Sequence, residues 1–132
     1  MPVFSLEFQV RDYECDLQGI VNNAVYQHYF EHARHEFLKH HDYNFADLIQ
    51  AGIHLVLYRA EIDYIIPLQS GHQFTVHLVM ERLSKTRCVF NQTLICNEKT
   101  YTKGKFFVTG INSDRKPINL DQIQINKLLQ SS

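Results

Sequence analysis

The chain has 132 residues, 45% hydrophobic and 20% charged, which excludes a largely disordered polypeptide and favours one domain over residues 1–132. Thirteen Lys and Arg against 14 Asp and Glu leave a net charge of −1, so no general nucleic-acid-binding field is expected, only room for a local basic patch. Three cysteines, Cys15, Cys88 and Cys96, lack CxxC spacing and argue against a disulfide framework or a cysteine-rich zinc site; a reducing cytoplasm is the natural setting.

At the N-terminus Phe4, Leu6, Phe8 and Val10 alternate with Ser5, Glu7 and Gln9. A period of two predicts a half-buried strand, not the apolar segment of a secretion signal. No apolar run approaches the length of a spanning helix, so no membrane partner is expected.

Next comes "DYECDLQGIVNNAVYQHYF", residues 12 to 30, in which an acidic, glycine-containing turn runs straight into a helix predicted over about 22–40. At about 100° per residue, Tyr26, Tyr29, Phe30, Ala33 and Phe37 share one face, and His28, His32 and His35 gather opposite. Those histidines have metal-compatible spacing but no HExxH arrangement, and a solvent or interface face is the better reading. Lys39, His40 and His41 read as favourable charges at the helix C-terminus. If residues 14 to 16 are extended, Cys15 and Asp16 point to opposite sides and Cys15 packs inward. Glu14 shares parity with Asp16, which allows a carboxylate pair, with plain surface exposure the simpler reading.

"NFADLIQAG" reads as a short helix capped by Asn44 and closed by Gly52. Four strand-like runs follow: "IHLVLYRAEIDYIIPL", "HQFTVHLVMERL", "RCVFNQTLICN" and "TYTKGKFFVTGIN". The turns "QSG", "SKT" and "NEK" separate them, suggesting hairpins throughout, and Pro67 suits a strand edge or bulge. Cys88 and Cys96 share one parity, as core or interface residues do. "NLDQIQINKLLQ" suggests a terminal helix capped by Asn119 or Asp121, with disorder expected at most in "LLQSS". Consecutive strands with helices set apart predict an α+β chain with an antiparallel sheet.

"RDYECDLQGIVNNAVYQHYFEHARHEFL" resembles the signature of the hotdog-fold thioesterases of the 4-hydroxybenzoyl-CoA thioesterase type, carried here by Asp16, Gly19, Ile20, Val21, Asn22, Asn23, Tyr26, Ala33 and Arg34. "AEIDYIIPLQSGHQFTV" is similar to the family's second strand and Pro-then-Gly turn, so the resemblance covers nearly the whole chain. It implies a hotdog fold, a five-stranded antiparallel sheet wrapped around a long central helix. It also implies a homodimer or homotetramer with active sites at a subunit interface, and no metal or organic cofactor. The implied activity is acyl-CoA thioester hydrolysis, with Asp16 as general base or nucleophile and the backbone N–H of Asn23 as the key donor. Gly19 would let the chain turn tightly beside substrate.

The chemistry suits these residue types. A helix start offers unpaired N–H groups and about half a positive charge, and such donors stabilise the oxyanion of a tetrahedral intermediate. A thioester is activated enough for a carboxylate to attack it or to deprotonate water for it. Many bacterial members carry Tyr-His where this chain has Asn22-Asn23, a form similar to a branch that includes acyl-carrier-protein thioesterases; the Asn23 side chain could orient water or substrate there. Tyr26 and the other helix aromatics would line or support an acyl slot. Arg59, Arg82, Lys85 and Arg87 are candidates for the phosphates of coenzyme A, although a solvated turn explains them equally. Tyr64 and Asp63 are further neighbours that spacing alone does not place. The rivals are a non-catalytic acyl-thioester-binding module and, third, a dehydratase or hydratase, which would want a histidine beside Asp16.

Overall fold

A computed structural model of the chain describes residues 3–130. Five strands form one antiparallel sheet: β1 (Phe4–Gln9), β2 (His54–Tyr64), β3 (Gln73–Arg82), β4 (Arg87–Cys96) and β5 (Lys99–Ile111), in the order β1-β3-β4-β5-β2. The alternation of β1 is real: Phe4, Leu6 and Phe8 are half-buried, and Ser5, Glu7 and Gln9 are exposed. Tight turns join β3 to β4 and β4 to β5, as the turn residues suggest. The expectation of hairpins throughout fails at β2, which lies at the far edge beside β5. Beyond Tyr64 the chain leaves the sheet: the N–H groups of Ile65 and Ile66 both donate to the Tyr101 carbonyl, and the Leu68 N–H donates to the Tyr26 hydroxyl. These bonds draw the segment containing Pro67 toward the helix start instead of back along β2.

Helix α1 (Asn23–His40) is the only helix longer than six residues among those described. Asn22 stops it at the N-terminus by accepting the Ala24 N–H on its side chain, 2.9 Å away. The stripe of Tyr26, Tyr29, Phe30, Ala33 and Phe37 is buried, as its spacing requires. It meets the sheet face built by Val76, Leu78, Phe90, Leu94 and Phe106. Phe30 packs on Phe106 at 5.1 Å between centroids, and Phe37 on Phe90 at 6.1 Å.

A polar clasp crosses this apolar layer. Buried Gln92 donates from Nε2 to the Phe30 carbonyl (2.9 Å) and accepts from Arg34 Nη1 (3.0 Å). The Arg34 guanidinium lies 4.4 Å over the Phe106 ring, and burial lowers its pKa to about 10. At the helix end, His41 departs from its expected role as a charge. It is buried against Phe37, and desolvation lowers its pKa, leaving Lys39 and His40 in the last turn.

Helix α2 (Phe45–Gln50) carries the expected Asn44 cap. The terminal helix is split into a 3₁₀ turn, Leu120–Ile123, capped by Asn119, and α3 (Ile125–Gln130), because Gln124 adopts a left-handed backbone. Asp121 is therefore not the cap. Of the "LLQSS" stretch, Leu128 and Leu129 belong to α3 and Leu128 is buried, contrary to expectation; Ser131 and Ser132 lie outside the described residues. No helix among the described residues is long and apolar enough to cross a membrane.

Gly104 on β5 shows how closely the face under α1 is filled. A Cβ there would stand 2.4 Å from the Phe106 ring, which is itself held between Phe30 and Arg34. Gly104→Ala is therefore expected to cost about 1–3 kcal/mol in urea unfolding, as overpacking of a fixed core does. An unchanged midpoint would show that Phe106 moves aside freely.

Candidate active site

The motif residues fold into a small closed loop before α1. Cys15 and Val21 form an antiparallel bridge, the Asp16 N–H donates to the Ile20 carbonyl (2.9 Å), and the Gly19 N–H donates to the Asp16 carbonyl (3.0 Å). Gly19 sits at φ +82, a left-handed conformation that a residue with a Cβ resists. The loop is pinned from the far side, where the Val21 N–H donates to the Leu68 carbonyl (2.9 Å). Asp16 and the start of α1 are thus neighbours because residues 15 and 21 pair.

Within the loop the Asp16 side chain accepts the Gln18 N–H on Oδ1 (2.8 Å), an Asx turn, and its other oxygen accepts nothing among the described residues. In the single chain Asp16 is exposed. Two donors at the helix start are already engaged: the Ala24 N–H by the Asn22 side chain and the Val25 N–H by the Asn22 carbonyl. The Asn23 N–H has no acceptor among the described residues. This is the donor that the family resemblance singles out, and it points the positive end of α1 at whatever lies before it. Tyr64 also belongs here: its hydroxyl donates to the Asn23 carbonyl (3.3 Å), and its ring packs edge-on against Tyr26 at 5.2 Å. Asp63 faces Lys103 in the β2–β5 register and is exposed.

Other candidates are placed differently. Tyr26 is buried and its hydroxyl is occupied by the Leu68 N–H (2.9 Å), so it supports the helix start from within the core. Tyr29, Phe30 and Phe37 are likewise buried, and the aromatic stripe can only back a slot, not line one. Arg82 is committed to the protein: it donates to Asp121 (2.7 Å) and Asn119 (3.0 Å) and to the carbonyls of Ser84 and Lys85, holding the C-terminal segment. Lys85 is exposed in the adjoining turn. Arg59 and Arg87 are exposed on the outer sheet surface. Arg87 lies 4.7 Å over the Tyr58 ring and Arg59 lies 5.6 Å over Phe107, with the two rings 6.1 Å apart. Arg59 also meets Glu61 at 2.6 Å.

Cys15 is half-buried; desolvation, together with the negative charges of Asp12, Asp16 and Glu14, pushes its thiol up and suppresses the thiolate. Cys88 is pushed to about 12 by burial. His28 and His32 are exposed, but His35 is half-buried against Phe45 of α2, so the histidine face is not wholly turned to solvent. No group of three or more His, Cys, Asp or Glu among the described residues is arranged to hold a metal ion.

Glu14 is the residue that sequence reasoning undervalued. It is half-buried, and its Oε1 accepts both the Arg11 N–H (2.8 Å) and the Tyr29 hydroxyl (2.9 Å), so plain exposure was the wrong reading. Its spacing to Tyr29 crosses a turn and a helix start, and no local period links them.

Comparison with known proteins agrees with this geometry. An acyl-acyl carrier protein thioesterase of Arabidopsis thaliana (ATL3, chloroplastic) is 31% identical over 117 residues, 87% of this chain and 62% of that protein. The chain spans about three fifths of the length of the Arabidopsis relatives it matches. A crystal structure of a hypothetical protein from Aquifex aeolicus superposes with a TM-score of 0.87 at 29% identity, covering 95% of this chain and 98% of that one. A 1,4-dihydroxy-2-naphthoyl-CoA thioesterase from Synechocystis shares the hotdog fold, with a TM-score of 0.89 at 22% identity over 96% of this chain and 95% of that one. Residues 10–126 match the model of the thioesterase-like superfamily, and the chain belongs to that superfamily.

Proposed function

We propose that residues 1–132 form one thioester hydrolase domain acting on an acyl-CoA, with Asp16 and the Asn23 N–H as its chemical centre. The observation that carries this reading is the unengaged Asn23 N–H at the tip of α1, set by the Cys15–Val21 bridge beside a carboxylate with one free oxygen. The thioester oxygen would accept the Asn23 N–H, and the helix dipole would stabilise the negative charge that forms there. Asp16 would take a proton from water as the water oxygen bonds to the acyl carbon. The C–S bond then breaks, and the thiolate leaves to be protonated. Direct attack by Asp16 is the alternative first step and would form an anhydride that water hydrolyses. Gly19 keeps the approach to the carbonyl free of a side chain, and Asn22 holds the helix start in place.

Arg59 and Arg87 suit the nucleotide end of coenzyme A, since their planar groups are exposed and braced on aromatic rings, and Lys85 would add charge at the next turn. Arg82 is not part of this proposal. The 31% identity to a protein named as an acyl-carrier-protein thioesterase favours that carrier as the alternative thiol.

A second copy of the chain would complete the site. β2 pairs only with β5 among the described strands, and it leaves Val56, Leu57, Tyr58 and Tyr64 39–48% exposed. A long apolar edge of that kind invites pairing. A homodimer, or a dimer of dimers, would bury it and enclose Asp16. Three free cysteines accord with a reducing cytoplasm.

Three measurements test this. Asp16→Asn should lower thiol release from a panel of acyl-CoAs by about 10²–10⁴-fold, the usual worth of a general base, with its circular dichroism unchanged. Wild-type turnover in that variant rules the role out. Replacing both Arg59 and Arg87 with Ala should raise KM for an acyl-CoA about tenfold, the loss of one charged contact, and leave the matching acyl-pantetheine unaffected. Equal effects on both substrates remove the arginines from the nucleotide site. Light scattering should give at least twice the mass of one chain, and Leu57→Glu should reduce it to one; a monomeric active wild type sinks the interface.

A further inference from the structure

The Glu14 carboxylate is the one polar group bound to the Asp16 loop that the mechanism above does not use. It makes contacts on both sides of that loop. Its backbone carbonyl accepts the Asn22 N–H (3.0 Å), and its Oε1 accepts the Arg11 N–H (2.8 Å) and the Tyr29 hydroxyl (2.9 Å). Tyr29 is a fixed anchor: it is 5% exposed, with its ring 4.9 Å from Phe74 and 5.6 Å from Phe8. Burial, with Glu14 beside it, pushes the Tyr29 phenol well above its ordinary range, so it remains a donor. Arg11 lies 3.9 Å from the other carboxylate oxygen but is exposed, and that ion pair is screened by water.

We propose that Glu14 is a positioning residue, which acts through Tyr29 to hold the Asp16 loop at a fixed distance from the Asn23 N–H; this rests on the roles given to Asp16 and Asn23 above. Glu14 precedes Asp16 by two residues, and Tyr29 follows Asn23 by less than two turns of the same helix. The Glu14–Tyr29 bond therefore closes a ring that contains both chemical groups and nothing flexible outside the loop itself. Glu14 is not a second acid for the reaction. Its carboxylate borders an open groove of about 750 Å³ between β1 and α1, shared with Tyr29, His28 and His32, and neither Asp16 nor Asn23 lines that groove. Its effect has to pass through the loop. A displacement of about 1 Å in a reacting group costs on the order of 10²-fold in rate, which sets the size of the effect to expect.

The test compares wild type, Asp16→Asn, Glu14→Ala, Glu14→Gln, Tyr29→Phe and the Glu14→Ala/Tyr29→Phe double variant, by steady-state thiol release from one good acyl-CoA and by thermal unfolding. Glu14→Ala should lower kcat about 10–100-fold per folded enzyme with KM within about twofold, because binding is kept and alignment lost. Glu14→Gln keeps an oxygen acceptor and should restore most of kcat. Tyr29→Phe should also lower kcat, and the double variant should be no worse than Glu14→Ala, since the two groups form one contact. Should Glu14→Ala fail to fold, Tyr29→Phe, which removes only a hydroxyl, decides the matter. Wild-type kcat in Tyr29→Phe, additive losses in the double variant, or Glu14→Gln as poor as Glu14→Ala would each overturn the positioning role. An inactive wild type, or full activity in Asp16→Asn, overturns the underlying reading as well.

Discussion

The position of every group at the helix start depends on how α1 is seated on the sheet. An apolar stripe against an apolar surface resists separation but tolerates sliding, because dispersion and burial are not directional. The Gln92 clasp removes that freedom. Its amide reaches the Phe30 carbonyl and its oxygen takes the Arg34 guanidinium, so a shift of the helix by one residue would strand buried polar groups on both partners. Phe106 beneath them, folded back over Gly104, leaves no slack in the layer. Phe30 lies seven residues beyond Asn23, about two helical turns, so fixing the one fixes the other.

The same register is secured at the helix start by the strand-to-strand link that departs from a hairpin. Leu68 takes bonds from two directions, its N–H to Tyr26 and its carbonyl from Val21. One residue thus ties the buried face of α1 to the loop that precedes it. The unusual routing after β2 and the closed loop around Asp16 are two sides of one arrangement.

Features that depend on near neighbours in the chain were legible in the sequence. The alternation of Phe4, Leu6 and Phe8, the Asn22 and Asn44 caps, and the stripe from Tyr26 to Phe37 all follow from periods and local hydrogen bonds. The family motif placed Asp16 and Asn23 in one neighbourhood, and the loop geometry does bring them together. What could not be read depends on distant partners. Arg82 looked like its neighbours Lys85 and Arg87 until Asn119 and Asp121 occupied it. His41 resembled His40 until the core covered it, and Glu14 showed no sign of Tyr29. The edge position of β2 is a matter of topology, and its "IHLVLYRAEIDYIIPL" run is as apolar as a central strand.

The unengaged donor at Asn23 belongs to the peptide backbone and not to a side chain. Every amino acid except proline carries that group, so substitutions at this position can accumulate through descent without deleting it. Position 23 is therefore free to vary its side chain, and chains that differ there can retain the same electropositive tip. Likeness among such proteins is better judged by the path of the main chain entering the helix than by the letters written at that point.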